Sequence, residues 1–140
     1  MTREYVDNHR TRITTYTLTK IIEYKDEYAA KFQEEMLDRL RVATFKHILL
    51  PEFEYSRDGS ELTIITEYIK GWYCNEPELI WEDVVKRESE YTFDDPQPSN
   101  FITCKRELKT YAIDLDSYTH NPDMKTRVAR FKKIWGESYE

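Results

Sequence analysis

The chain has few glycines and few cysteines. Its three glycines, Gly59, Gly71 and Gly136, stand far apart, so the sequence contains no glycine-rich loop whose backbone N–H groups could cradle phosphates. Its two cysteines, Cys74 and Cys104, lie in unrelated contexts. This pattern favours free thiols in a reducing compartment, and a single disulfide is the alternative.

Long apolar runs and an excess of positive charge are also missing. No segment approaches the roughly 18 apolar residues that a membrane span needs, and residues 1–5 lack the apolar region of a secretory signal. The net charge of −6 argues against a general affinity for nucleic acid. We therefore expect a cytoplasmic protein that binds neither membranes nor nucleic acid.

The residues that are present are those of a well-packed domain. Apolar residues make up 39% and aromatic residues 14% of 140 residues, which is enough for one domain with a sizeable core. Eleven tyrosines suit both a core and an interface. A homodimer or a partner protein is therefore part of the expectation.

Hydrophobic patterns in the first half predict strands around one helix. Near-alternation of β-branched and aromatic residues predicts β structure over 11–23, as one strand or as a bent or paired one. Apolar residues at steps of three and four predict a helix over 27–43. A short strand over 47–55 follows. The pair Asp58-Gly59 predicts a hairpin turn, and residues 62–69 are the clearest strand.

The second half contains more breaks. The segment 70–72 ends the preceding strand, and apolar residues predict a helix of about ten residues that ends at Arg87. Two prolines make 96–100 a loop, and a hairpin follows over 101–104 and 110–113. Asn121-Pro122-Asp123 predicts the start of a last helix, which ends at Gly136. The sequence therefore predicts an α+β fold.

Three polar residues in this second half carry the chemistry. Asn100 follows Asp95 by five positions, and Asp114 follows Asn100 by fourteen, after the predicted hairpin. Carboxylate and amide oxygens suit Mg²⁺, which is a hard cation. The hairpin would bring Asn100 and Asp114 to the same side of a cleft.

This spacing, with the strand and break at Glu67–Gly71, resembles the protein-kinase-like fold shared by protein kinases and aminoglycoside-type phosphotransferases. The resemblance implies an antiparallel-sheet small lobe over about 1–70 and a reduced, mostly helical lobe over 71–140 with a catalytic-loop hairpin. It implies ATP and Mg²⁺ as cofactors. Asp95 would orient the attacking hydroxyl, and Asn100 and Asp114 would hold Mg²⁺.

The resemblance also implies a nucleotide-binding half in the small lobe. Lys20 would contact the α- and β-phosphates, and the backbone of Glu67 and Ile69 would meet the adenine edge. The acidic or amide partner of Lys20 is open among three neighbours on the predicted helix: Gln33, Glu34 and Glu35. Asp116 stands where the family has glycine, and it is either a further Mg²⁺ ligand or a helix cap.

Other positions depart from the family. No glycine precedes Lys20, Phe93-Asp94 replaces the usual His before the catalytic Asp, and 24 residues follow Asp116.

The first expectation is a minimal kinase-like protein that transfers phosphoryl to an unknown hydroxyl acceptor. The alternatives are an inactive kinase-like interaction or regulatory module and an unrelated α+β domain. The short length of the chain, compared with enzymes of this family, suggests a viral or mobile-element origin. The basic run from Lys125 to Lys133 is a solvated helix face or a docking surface.

Overall fold

The structure is a computed structural model that describes the backbone of residues 6–13 and all atoms of residues 16–136. Two compact units make up the chain. Unit 1 comprises Met1–Val42 and Pro51–Tyr68, and unit 2 comprises Ala43–Leu50 and Ile69–Glu140. The predicted lobes, 1–70 and 71–140, remain a prediction.

Unit 1 contains one antiparallel sheet and one helix. Its elements are β1 (Val6–Ile13), β2 (Thr17–Tyr24), α1 (Glu27–Arg41), β3 (Phe53–Asp58) and β4 (Glu61–Glu67). The strand order in the sheet is β1-β2-β4-β3. Of the alternatives left open for 11–23, the paired strand is the one found, because β1 and β2 pair antiparallel with Ile13 opposite Leu18.

Strand alternation in unit 1 separates a buried face of the sheet from an exposed one. In β4, Leu62 and Ile64 are buried, whereas Ile65 is exposed. The helix α1 begins where the sequence predicts, because the Asp26 side chain accepts a hydrogen bond from the Ala29 N–H at 2.8 Å. Gly59 has a φ of 63° at the turn between β3 and β4, so the predicted hairpin turn is confirmed.

Unit 2 contains two small antiparallel sheets and short helices. Its strands are β5 (Gly71–Tyr73), β6 (Tyr91–Phe93), β7 (Phe101–Cys104), β8 (Thr110–Ala112) and β9 (Tyr118–His120). Its helices are α2 (Pro77–Ile80), which continues as a π-helix (Trp81–Val85), two 3₁₀ turns (Pro98–Asn100 and Leu115–Ser117) and α3 (Met124–Trp135). The sheet orders are β5-β7-β8 and β6-β9. The predicted hairpin is confirmed as β7 and β8, whereas β5, β6 and β9 were not predicted.

A glycine allows β5 to join its sheet. A Cβ atom on Gly71 would lie 1.8 Å from the carbonyl oxygen of Thr103, on the strand with which β5 pairs. No side chain fits at that distance. The predicted break after residue 69 is therefore present, and the chain there leaves one sheet and enters another.

Two boundaries in this part of the chain differ from the prediction. The strand predicted over 47–55 begins only at Phe53, because the backbone N–H groups of residues 46–48 donate to the Asp83 carboxylate instead of to a neighbouring strand. The cap of α3 is Asp123, which accepts from the Thr126 N–H at 2.8 Å. Asn121 instead donates to two loop carbonyls. No helix in the described part of the chain is long and apolar enough to cross a membrane.

Candidate functional site

The predicted catalytic loop is held by a side chain of its own. The Asn100 amide Nδ2 donates to the carbonyl oxygen of Asp95 at 3.1 Å, and Asn100 is only 5% exposed. Asp95 itself is partly exposed. The loop from Asp95 to Asn100 is therefore closed by a partly buried hydrogen bond between residues five positions apart.

A backbone bond joins this loop to the second aspartate. The Ile113 N–H donates to the carbonyl oxygen of Asn100 at 3.0 Å, which extends the antiparallel register in which Phe101 faces Ala112. Asp114 follows Ile113 directly. The structure therefore brings the backbones of Asn100 and Asp114 together, as the sequence predicts for the two ends of a hairpin.

Asp114 begins the 3₁₀ turn of Leu115–Ser117. Its carbonyl oxygen accepts hydrogen bonds from the Ser117 N–H at 3.1 Å and from the Ser117 hydroxyl at 2.7 Å, and the residue is 9% exposed. Asp116 lies inside this turn and is buried. The suggestion that Asp116 is a helix cap is therefore wrong, because Asp114 occupies the cap position.

The backbone of this segment also pairs with the strand before Asp95. The β6 and β9 strands pair with Phe93 opposite Tyr118, and the Asp94 N–H donates to the carbonyl of Ser117 at 3.0 Å. The strand β6 thus precedes the loop with Asp95, and its partner β9 follows the turn with Asp114. Their relative position is set by backbone hydrogen bonds.

Asn100 and Asp114 carry amide and carboxylate oxygens, the ligand types that a hard divalent cation prefers. Because the amide nitrogen of Asn100 is committed to Asp95, its Oδ1 atom is left as an acceptor. Among the described residues, no group of three or more His, Cys, Asp or Glu side chains is placed to hold a metal ion. Mg²⁺ needs only one or two protein carboxylates when nucleotide phosphates and water complete its coordination.

Lys20 lies in unit 1, on β2 opposite Ile64 of β4. It is two residues from buried Ile22 and four from buried Tyr24. Because side chains two apart on a strand share a face, Lys20 points to the same face of the sheet as these core residues. Unlike most strand lysines, it therefore does not lie on the exposed face.

The three candidate partners of Lys20 on α1 differ in their surroundings. Glu34 accepts a hydrogen bond from Arg57 Nε at 2.9 Å, and Glu35 is exposed. Gln33 is fully buried. Gln33 is thus the candidate on the core-facing side of the helix.

The predicted adenine-binding residues stand where β4 ends. The Glu67 backbone N–H donates to the Glu52 carbonyl at 2.9 Å, and its side chain accepts from the Glu52 N–H at 2.9 Å. The Glu67 side chain is therefore engaged at the edge of the unit 1 sheet. Ile69 is the first residue of the second segment of unit 2 and is half-buried.

Sequence reasoning missed Asp83, which organises unit 2. Its carboxylate is 2% exposed and accepts from the N–H groups of Lys46, His47 and Ile48 at 3.0, 2.8 and 2.6 Å. The sequence feature that could have indicated this role is an acidic residue directly before the buried pair Val84 and Val85. A carboxylate on an apolar helix face needs donors from elsewhere in the chain.

A depression beside Asp95 was also not predicted from the sequence. This open depression, with a volume of about 350 Å³, is lined by Asp94, Asp95, Pro96, Gln97, Arg130, Lys133 and Ile134, and we call it the Asp95 depression. Trp135 at the end of α3 donates its indole N–H to the Pro96 carbonyl at 2.8 Å. This bond holds the end of α3 against the loop.

The remaining polar chemistry of unit 2 is structural. Both cysteines are free, as the sequence predicts, and burial raises the pKa of the Cys74 thiol. The Arg127 guanidinium donates to the carbonyls of Pro122, Arg87 and Val85. Arg127 is thus not part of a solvated basic face.

The site therefore combines three parts. They are the loop closed by the bond from Asn100 to Asp95, the β7–β8 hairpin that leads to Asp114, and the Asp95 depression with its two cationic side chains. Orientation of a hydroxyl group and binding of a divalent cation are the chemistry that these types of side chain allow. Comparison with protein-family models finds no match for the chain, and a search among curated proteins finds none either.

Proposed function

We propose that the chain is a minimal kinase-like phosphotransferase that binds ATP and Mg²⁺ and transfers a phosphoryl group to a hydroxyl acceptor. One observation carries the proposal: the Asn100 side chain donates to the Asp95 carbonyl, and the Asn100 carbonyl accepts from Ile113 beside Asp114. An aspartate, an asparagine and a second aspartate held in this order are the parts that phosphoryl transfer by positioning requires.

The kinase-like fold is part of this proposal, and the topology of each unit supports it. Unit 1 has an antiparallel sheet with a helix inserted between β2 and β3, and Lys20 lies on the core face of β2. In unit 2, β6 precedes Asp95, a hairpin separates Asn100 from Asp114, and β9 follows. This order of elements around Lys20, Asp95, Asn100 and Asp114 supports the proposal.

The chemistry assigned to the protein is general-base catalysis with electrostatic stabilisation. Asp95 accepts the proton of the acceptor hydroxyl as its oxygen forms a bond to the γ-phosphorus, while the bond from that phosphorus to the β-phosphate oxygen breaks and ADP leaves. The proton then passes from Asp95 to solvent. Asn100 and Asp114 would hold Mg²⁺, whose charge offsets that of the phosphates when it is bound.

Calorimetry with ATP in the presence and absence of Mg²⁺ tests the binding half of the proposal. We expect Asp114→Asn to weaken Mg²⁺-dependent ATP binding by about tenfold or more, because a charged ligand is lost. The control is Asp58→Asn, which removes an equal charge from an exposed position at the end of β3. Absence of binding at millimolar ATP, or equal binding by Asp114→Asn and wild type, would contradict the proposal.

Turnover of the Asp95→Asn variant separates binding from catalysis. We expect this variant to bind ATP as wild type does and to form ADP at least about 10²-fold more slowly with a panel of hydroxyl acceptors, because loss of a general base costs that much or more. Equal ADP formation by both proteins would remove Asp95 from the mechanism.

A non-catalytic interaction module on the same scaffold is the second candidate. The observation that favours it is the absence of any glycine before Gly59, which leaves no glycine-rich cover for the phosphates. Trp72 and Tyr73 on β5 are both large and exposed, and each could contact a partner from its own face of the strand. Turnover of ATP that depends on Asp95 would decide against this candidate.

A further inference from the structure

The Asp95 depression carries a pair of cations that the fold itself does not use. Arg130 and Lys133 are both exposed, and they lie three residues apart on α3, so they share one face of the helix. Within the described part of the chain, neither side chain forms a salt bridge or a hydrogen bond. Nearby Arg127, by contrast, is committed to three backbone carbonyls.

The packing of α3 fixes the backbone from which these two side chains extend. Phe131, between them, is fully buried and packs against the rings of Trp81 and Trp135, with centroid distances of 5.1 and 6.1 Å. The indole of Trp135 donates to Pro96, the residue directly after Asp95. The helix therefore presents Arg130 and Lys133 on the side of the loop that contains Asp95.

The Asp95 depression contains charges of both signs. The chain as a whole has a net charge of −6, yet α3 contributes two cations to a depression that also contains Asp94 and Asp95. A planar guanidinium and an ammonium group together suit a doubly charged phosphate, which the guanidinium can bind through two parallel hydrogen bonds. The volume of about 350 Å³ is that of a small-molecule site.

We infer that the Asp95 depression binds the acceptor of the reaction and that this acceptor is a small alcohol carrying a phosphate group. Arg130 and Lys133 bind the phosphate, and the free hydroxyl of the same molecule lies at Asp95, which takes its proton during transfer. This inference rests on the proposed function for the identity of the reaction. The binding of a phosphate compound to the depression does not depend on it.

The test is calorimetric titration of the full chain, without nucleotide, with glycerol 3-phosphate and with glycerol as the uncharged counterpart. We expect wild type to bind glycerol 3-phosphate, with glycerol bound at least about tenfold more weakly, and Arg130→Gln/Lys133→Gln to lose at least about tenfold in affinity for the phosphate compound. The matched control is Lys125→Gln/Lys132→Gln, which removes the same charge from α3 outside the depression.

Each outcome decides the inference. Loss of affinity in the Arg130/Lys133 variant alone supports it. No binding by wild type, equal affinity for glycerol, or equal loss in both double variants overturns it. Because no nucleotide is present, failure here leaves ATP binding and its dependence on Asp114 untouched. Conversely, loss of the proposed function through calorimetry with ATP would leave the phosphate titration intact.

Discussion

Strands in unit 1 are six to eight residues long, whereas those in unit 2 have three or four. Long strands supply many ladder hydrogen bonds and a continuous apolar face, and short ones supply few. Unit 2 compensates with side chains that bind backbone: Asp83, Arg87, Asn100, Asn121, Arg127 and Trp135.

The difference explains where a site can form. A regular sheet places its side chains at fixed intervals, so its shape follows from the alternation of polar and apolar residues. Loops tied down by buried polar groups can take irregular paths and still be rigid, which is what a catalytic constellation needs. In this protein the loops of Asp95 and Asp114 belong to the unit that is built in this second way.

The largest expected effect comes from removing the polar anchor of unit 2. We expect Asp83→Ala to lower the free energy of unfolding by about 4 kcal/mol, because three backbone N–H groups lose a buried charged acceptor. Urea unfolding followed by tryptophan fluorescence measures this change, since all three tryptophans, Trp72, Trp81 and Trp135, belong to unit 2.

The neighbour of Asp83 provides the control for this prediction. Glu82 is 38% exposed and pairs with Lys46 at 3.3 Å, so Glu82→Ala should change the free energy of unfolding by less than about 1 kcal/mol. If the two variants were equally stable, the view that unit 2 depends on buried polar anchors would be wrong.

A slightly smaller effect is expected from truncating the core of unit 1. Leu62 on β4 is 0% exposed, and we expect Leu62→Ala to cost about 3 kcal/mol through lost burial and the cavity that remains. Far-UV circular dichroism during urea unfolding measures it. Ile65→Ala, on the same strand but 39% exposed, should cost clearly less, and equal costs would show that the alternation on β4 does not define the core.

A pH-dependent effect is expected from the polar edge of unit 1. Burial, and then a hydrogen bond from the Tyr55 hydroxyl to Asp38, raises the pKa of Tyr55 to about 12. Since the folded pKa lies above the ordinary value of about 10, the native state keeps this proton to higher pH. The contribution of Tyr55 to stability is therefore complete below about pH 10 and is lost as the pH rises to about 12.

Comparison of wild type with Tyr55→Phe isolates this contribution. We expect the stability difference between the two proteins to shrink as the pH rises from about 10 to about 12, followed by chemical unfolding at each pH. Tyr28→Phe removes an exposed phenol and serves as the control. A difference that stays constant across this range would contradict the assignment.

The smallest effect is expected at the cap of α3 in unit 2. The hydrogen bonds from Thr126 lower the pKa of Asp123, so the stabilisation is present above the ordinary carboxyl pKa of about 4 and is lost as the pH falls through the lowered value. We expect Asp123→Ala to lower the melting temperature near neutral pH and to match wild type in strong acid. Asp123→Asn, which keeps an acceptor oxygen for the cap, should lie between them near neutral pH.

Periodic sequence patterns predicted the regular elements well. The apolar spacing over 27–43 agrees with α1, and the Asp58-Gly59 pair agrees with the turn between β3 and β4. The three-residue strands β5, β6 and β9 were missed because three residues are too few to show a period. The strand expected over 47–55 was wrong at its start because a distant carboxylate, Asp83, takes the N–H groups of residues 46–48.

The candidate site divides in the same way. The spacing of Asp95, Asn100 and Asp114 around a hairpin is a local property, and the β7–β8 register agrees with it. The roles assigned to these residues and to Lys20, Glu67 and Ile69 remain proposals. The Asp95 depression could not be predicted, because it depends on α3 returning to the loop through Trp135 and Pro96, which are 39 residues apart.

The sequence by itself determined the α+β class, the helix α1, the β7–β8 hairpin and the order of the three polar residues, because each depends on periodicity or on contacts between near neighbours. Only the tertiary structure decided which charges are buried, which are bound to backbone and which face the Asp95 depression. Those outcomes depend on which distant donors and acceptors meet, as Asp83 and residues 46–48 do. From the sequence alone, a charged residue that binds the backbone of a loop cannot be distinguished from one that lines a binding site.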